Sequence, residues 1–175
     1  MSSSSQSKLI VRMLGPDDES AFLSAVSDWE GEDLAWLTFD WDPTMSHEQH
    51  LKILSDHHHG INLPSDFVAS TMLYGFVGDK IIGRVHVRHT LNDNLLKRGG
   101  HMGYAVSPRF RGHGYGLSLA KAGLEFLTKN LKVKDVLITC DEKNNPSIKI
   151  IEALGAKLEN TVPDAKGVPT RRYWL

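Results

Sequence analysis

The sequence predicts one mixed α/β domain with elements in the order β-α-α-β-β-β-α-β-α-β-β, and three observations carry that expectation. A Gly-Asp pair, Gly78-Asp79, separates two β-rich runs at residues 66–77 and 80–91, which is a hairpin signal. Leu117, Ala120, Leu124, Leu127 and Leu131 recur at alternating spacings of three and four, the single apolar stripe of an amphipathic helix. Residues 135–140, ending at Cys140, form a continuous apolar run of the kind that a strand buried on both faces carries.

The remaining elements follow in chain order. Residues 9–14 are a short β-rich run ended by Gly15-Pro16. Residues 17–28 read as a helix with acidic residues in the first turn, where the helix dipole favours them. Residues 29–43 are aromatic and acidic with no clean period, and Ser46 is a plausible N-cap for a second helix. The hairpin comes next, then a third strand at 101–106 after the Gly99-Gly100 turn, then the striped helix from Gly114 to about Leu131. Beyond the apolar run, Asn145-Pro146 opens a helix that Gly155 ends, and strands at 157–161 and 170–175 close the chain. Residues 1–7 are polar and read as a disordered tail, leaving 8–175 as a single domain.

Composition narrows the function classes. At 175 residues, against ~150 per domain, the chain suits one domain with its own core. Its 41% hydrophobic and 23% charged residues exclude disordered, collagenous and coiled-coil chains. Lys+Arg number 20 against 21 Asp+Glu, so the basic excess typical of nucleic-acid binders is missing and no such partner is expected. With Cys140 the single cysteine, no intrachain disulfide can form. The first residues lack the pattern of a secretory signal, and no apolar run approaches the ~18–20 residues of a membrane span, so a cytoplasmic protein without membrane partners is expected.

The most informative segment runs from Tyr104 to Gly116, where a strand ends, glycines alternate as Arg111-Gly112-His113-Gly114-Tyr115-Gly116, and a strong helix begins. Glycines there reach positive φ and let a ligand approach, while the helix start offers free N–H groups to an anion, and Arg111 adds charge. The spacing fits neither a P-loop nor a dinucleotide fingerprint. Ser118 lies about one turn inside the helix, which also rules out a hydrolase nucleophile elbow.

The pattern Arg-x-x-Gly-x-Gly, together with Asn144-Asn145-Pro146-Ser147 and the following Gly155, resembles the GNAT N-acetyltransferase superfamily, and more narrowly a group of bacterial predicted acetyltransferases. That resemblance implies a mixed, largely antiparallel central sheet flanked by helices, and an enzyme that moves an acetyl group from acetyl-CoA to an amine. It implies that Arg111, Gly112, His113, Gly114, Tyr115 and Gly116 hold the pyrophosphate. Pantetheine would lie between the strand of Ala105 and Val106 and that of residues 137–140, one of those two backbone amides serving the carbonyl, with Asn144 and Ser147 nearby.

One position departs from the family pattern. The family often places a tyrosine seven residues after the motif asparagine to protonate the leaving thiolate, and here Ile151 stands there. Ser147, Tyr104, Tyr115 or water remain as donors. A CoA thiol resembles cysteine, with a pKa of ~8.5, so the thiolate can also leave unaided. His101 is the ionisable candidate for a base on the third strand, although side-chain parity and the commoner role of a hydrogen-bonded structural histidine stand against it. Asp141 and Glu142 are second choices, and Cys140 reads as core. His47, His50 and His57-His58-His59 invite a metal, but consecutive histidines point in different directions, and no metal is expected.

For the acceptor, Trp36, Asp40 and Trp41 lie in an acidic stretch with Trp29, Glu30, Glu32, Asp33 and Asp42. Carboxylates beside exposed indoles suit a small cationic amine, whereas buried indoles and solvated acids would mean nothing of the kind. A catalytically weak acyl-CoA-binding module and a peptide or protein N-acetyltransferase are the alternatives. The segment Arg171-Arg172-Tyr173-Trp174 reads either as a core strand or as part of a homodimer seam.

Overall fold

The structure, a computed structural model, describes residues 8–175; the tail expected over 1–7 lies outside the described residues. The Gly78-Asp79 turn joins β2 (Ser70–Val77) to β3 (Lys80–Arg88) in an antiparallel hairpin. β1 (Leu9–Arg12) pairs antiparallel with β2, and β4 (Met102–Val106) with β3, giving a sheet in the order β1-β2-β3-β4. A second antiparallel sheet, in the order β5-β7-β6, contains β5 (Leu137–Asp141), β6 (Lys157–Pro163) and β7 (Pro169–Trp174).

Alternation along β3 divides the core in two. Val85 and Val87 pack on one face with Met102, Ala120 and Leu127, and this cluster runs on under the second sheet to Ile138, Ile148, Ile151 and Tyr173. α5 (Tyr115–Glu125) and α6 (Asn145–Ala153) supply its helical side, α5 continuing as a π-helical turn over Phe126–Asn130. α5 lies so close to the sheet that a Cβ on Gly123 would stand 2.7 Å from Val85 Cγ2. The opposite face buries Met72, Tyr74, Phe76 and Ile81 against Phe22, Ala25 and Trp29 of the α1 (Glu19–Asp28) region and Leu37 of α2 (Ala35–Thr38). α3 (His47–His59) packs on β2, with Ser46 as its N-cap in a reciprocal bond with Gln49, as its sequence signals.

Two short helices have no counterpart in the sequence reading: α2, inside the segment without a clean period, and α4 (Asp93–Lys97), capped by Asn92 Oδ1 on Leu95 N–H at 2.9 Å. Arg171-Arg172-Tyr173-Trp174 belongs to the central strand of the second sheet, with Tyr173 buried.

The two sheets meet at one point. His101 N–H donates to Leu137 O at 2.7 Å, and Leu137 N–H donates to His101 Nδ1 at 2.9 Å. Gly99 N–H adds a bond to Thr139 Oγ1 at 2.8 Å. The approach is close enough that a Cβ on Gly100, at φ +58°, would fall 2.4 Å from Leu137 O. Both β4 and β5 start at this contact and then belong to different sheets, so a wedge opens between them.

Candidate active site

The mouth of the wedge is bordered by the start of α5. Gly112 (φ +80°) and Gly114 (φ +82°) both hold left-handed conformations, and a Cβ at either would meet nothing within 4 Å. Gly114 is the N-cap and no side chain caps the helix, so the amides of the first turn keep their donor capacity beside open space. Gly116 has a different reason to lack a side chain, since its Cβ would lie 2.8 Å from Ile150 Cδ1 on α6. The loop is braced from within: Arg111 Nε donates to Val106 O at 3.0 Å, and His113 Nδ1 lies 2.8 Å from Arg111 O. The Arg111 guanidinium also grips both oxygens of Glu32, at 2.7 and 2.5 Å.

The phase of the β3–β4 ladder decides which amides of β4 face the wedge. Ser107 N–H bonds to Ile82 O and Arg88 N–H to His101 O, so hydrogen-bonded pairs fall on the odd-numbered residues of β4. Ala105 N–H therefore serves β3, and the outward amides are those of Tyr104 and Val106. Of the two amides named for the carbonyl, Val106 has the free edge.

Across the wedge, Tyr104 Oη is 2.9 Å from Ser147 Oγ. Ser147 N–H in turn donates to Asn144 Oδ1 at 3.2 Å, which caps α6. Burial pushes the Tyr104 phenol up to about 12, so it is protonated and able to donate at neutral pH. Burial likewise raises Cys140, a buried thiol at the end of β5. Ile151, at the family's tyrosine position, is fully buried in the core and offers no proton.

His101 is 6% exposed, and its Nδ1 accepts the Leu137 amide proton. A neutral ring in that role carries its own proton on Nε2, so no lone pair is left for a substrate ammonium. Burial lowers its pKa further, favouring the neutral form.

The acceptor candidates separate. Trp36 is half exposed and lies across β4, with Cζ3 3.9 Å from the Cβ position of Gly103. Asp40 is exposed, its carboxylate 3.8 Å from His57 Nε2. Trp41 instead packs edge-on against Phe22 at 5.3 Å, because the short α2 turns the chain inward there, and it belongs with the core. Trp29 is buried with Nε1 donating to Asp33 O. Several of the acids have partners of their own: Glu32 on Arg111, Asp33 on the Ala35 amide, Asp42 on the Thr44 amide.

The histidines disperse to separate partners: His47 to Gly15 O, His58 to Thr71 Oγ1 and His59 to Ser55 O. Among the described residues no group of three or more His, Cys, Asp or Glu is arranged to hold a metal ion. Arg84, His86 and Arg88, to which the sequence assigned no role, alternate along β3 on the face opposite Val85 and Val87. The signal was available as charged residues at period two inside an apolar strand.

A family model described as an acetyltransferase (GNAT) domain matches residues 8–157. The chain belongs to the GNAT acetyltransferase family. Among solved structures, a ribosomal-protein-S5-alanine acetyltransferase from Vibrio fischeri is similar with a TM-score of 0.65 at 17% identity, covering 95% of this chain and 92% of that one. A chimera of the Vibrio cholerae spermidine N-acetyltransferase is similar at 0.62 and 17%, covering 97% and 96%. A GNAT-family acetyltransferase from Bacillus anthracis is similar at 0.60 and 16%, covering 97% and 95%. At such identities the likeness is one of fold. No curated protein sequence matches the chain. In this GNAT domain, the antiparallel sheets and flanking helices are those that the glycine turn and the asparagine motif implied. Among the described residues no helix is long and apolar enough to cross a membrane.

Proposed function

We propose that this GNAT domain transfers an acetyl group from acetyl-CoA to a primary amine of a small acceptor, by direct attack with both molecules bound. The observation that carries the proposal is the uncapped start of α5, headed by two left-handed glycines and opening beside the wedge. A diphosphate fits there because first-turn amides and the positive end of the helix dipole both favour an anion. Arg111, Gly112, His113, Gly114, Tyr115 and Gly116 would hold it, and Arg111 can turn from Glu32 toward it. Acetyl-CoA supplies the thioester whose carbonyl carbon the amine attacks.

This chain's part is to bind, orient and polarise. The outward Val106 N–H hydrogen-bonds the carbonyl oxygen and steadies the charge that grows on it. The Tyr104 hydroxyl, held by Ser147, donates a hydrogen bond toward the departing sulfur. With the His101 lone pair engaged, the ammonium proton leaves to water. Half-exposed Trp36 and the carboxylate of Asp40 suit the cationic form of the amine as it arrives.

The test is calorimetric titration with acetyl-CoA of the native chain and Gly114→Glu, followed by thiol release with a panel of amines. Micromolar binding abolished in a still-folded Gly114→Glu, with thiol release that depends on an amine, is the expected result. No binding by the native chain overturns the proposal.

A further inference from the structure

On the face of the first sheet that α1, α2 and α3 cover, Arg84, His86 and Arg88 form a row along β3. Arg84 is 5% exposed, and its guanidinium reaches only backbone carbonyls, Trp36 O through Nε and Gly103 O through Nη1 at 3.1 Å. Arg88 Nη1 likewise donates to Gly99 O and Gly100 O, at 2.9 and 3.2 Å. Among the described residues no carboxylate lies within ion-pair distance of either. Taking an arginine out of water without a counter-charge is unfavourable, and carbonyl dipoles offset it only in part. Burial alone pushes Arg88 down to about 10, with no neighbouring anion acting against it.

Arg88 and His86 line a cleft of about 230 Å³ together with the polar Ser70 and Asn94 and the apolar rings of Phe39 and Phe67. Asp66 is also in the lining; its carboxylate pairs with neither arginine, while its backbone oxygen accepts from Asn92. His57 approaches through ring contacts with Phe39 and Phe67 and faces Asp40. Arg88 thus brings a positive charge to the cleft, and the acid in the lining, Asp66, forms no ion pair with it.

The cleft and the reacting centre lie along the same β3–β4 pair. His86 stands opposite Gly103 on β4. Gly103 is three residues from Val106, about 10 Å at the rise of a strand, and Arg88, whose N–H bonds to His101 O, stands two residues further along, about 17 Å from Val106.

We infer that the acceptor carries an acidic group as well as its reacting amine, and that the Arg88 and His86 cleft binds this group, a carboxylate in the simplest case. Arginine is suited to the role because its planar fork can offer a carboxylate two parallel N–H bonds. The inferred acceptor is an extended amino acid whose amine lies several bonds from its carboxylate. It rests on the acetyl-transfer proposal above and narrows the acceptor class of the same site.

Matched acceptors isolate the acid. L-Lysine and cadaverine share the terminal amine and differ by the carboxylate, as L-ornithine and putrescine do. With the native chain and saturating acetyl-CoA, kcat/KM by thiol release is expected to favour the amino acid of each pair at least tenfold. In Arg88→Gln that ratio is expected to fall toward one, and in Arg88→Lys, which keeps the charge without the fork, to lie between. Thermal denaturation checks that each variant is folded. Calorimetric titration with lysine and with cadaverine, without acetyl-CoA, supplies a readout independent of turnover. Lysine binding that weakens in Arg88→Gln, with no amine acetylated, sustains the acid site while the acetyl-transfer proposal fails. Diamines used as well as or better than the amino acids, or lysine bound no better than cadaverine, overturns the acid site and leaves acetyl transfer standing.

Discussion

Replacing His101 distinguishes a strand clamp from a base, because the two roles differ in sign and size. In His101→Ala the Leu137 N–H loses its acceptor at a buried site, which costs about 1–3 kcal/mol. Loss of a buried ring leaves a cavity, and the two effects together give about 3 kcal/mol. In His101→Asn the Oδ1 occupies nearly the place of Nδ1 and can accept the same proton, so the loss is expected to shrink to about 1 kcal/mol. Urea unfolding followed by tryptophan fluorescence measures both. Removing a true general base would lower kcat/KM by about 10²–10⁴ and abolish a titration in the pH–rate profile. A clamp predicts that folded His101→Asn keeps kcat/KM within a few-fold and keeps its pH profile. A hundredfold loss in a stable His101→Asn, or a His101→Ala as stable as the native chain, would refute the reasoning.

Other positions give sharp expectations. Gly100→Ala puts a Cβ against Leu137 O at a left-handed φ and should cost more than about 3 kcal/mol, whereas Gly112→Ala, with open space, should cost about 1 kcal/mol; thermal melts rank the two. Tyr104→Phe removes the hydroxyl that faces Ser147 and is expected to lower kcat about tenfold with the KM for acetyl-CoA nearly unchanged, and an unaltered kcat would assign the proton to water. Acid should destabilise the chain well above the carboxylate range. His50 is buried with both ring nitrogens unpartnered, and burial lowers it from 6.5 to about 4. Its neutral form is the folded one, so its contribution is complete above pH 6.5 and falls as pH drops toward 4, by up to about 3 kcal/mol. Burial lowers His58, His86, His89 and His101 in the same direction. His50→Phe should flatten that slope in urea midpoints measured from pH 7 to 4.

Local chemistry made much of this fold legible in the sequence. The Gly78-Asp79 hairpin, the Ser46 cap, the stripe of α5 and the Asn144 and Pro146 start of α6 each depend on a few neighbouring residues, and each stands where its sequence signal put it. The division into two sheets was not legible from residue patterns, because which strand a run such as 137–141 pairs with depends on contacts far along the chain. For the same reason the aromatic segment was ambiguous. Trp29 and Trp41 packed inward and Trp36 stayed half exposed, and nothing in their spacing separates the two outcomes. At the site, the glycines of the α5 turn could be read directly, whereas the orientation of the Val106 amide required the ladder phase set by Ser107 and Arg88. Arg84, His86 and Arg88 drew no functional role from the sequence because charged residues on a strand normally mark a solvated face, and here that face is covered.

The wedge also bears on two of the four strand edges that the sheets leave unpaired. An unpaired strand edge is a template for another chain, and natural proteins cover, charge or kink such edges. Here β4 and β5 each leave an edge unpaired, but the two edges face each other and are pinned at His101 and Leu137, so an intruding strand would have to enter between them from the open end only. A bound molecule with amide groups of its own would pair with both edges and close that entrance. Ligand occupancy should therefore slow aggregation as well as support turnover, and the Tyr104 and Val106 amides should be the ones whose hydrogen exchange slows most when the wedge is filled.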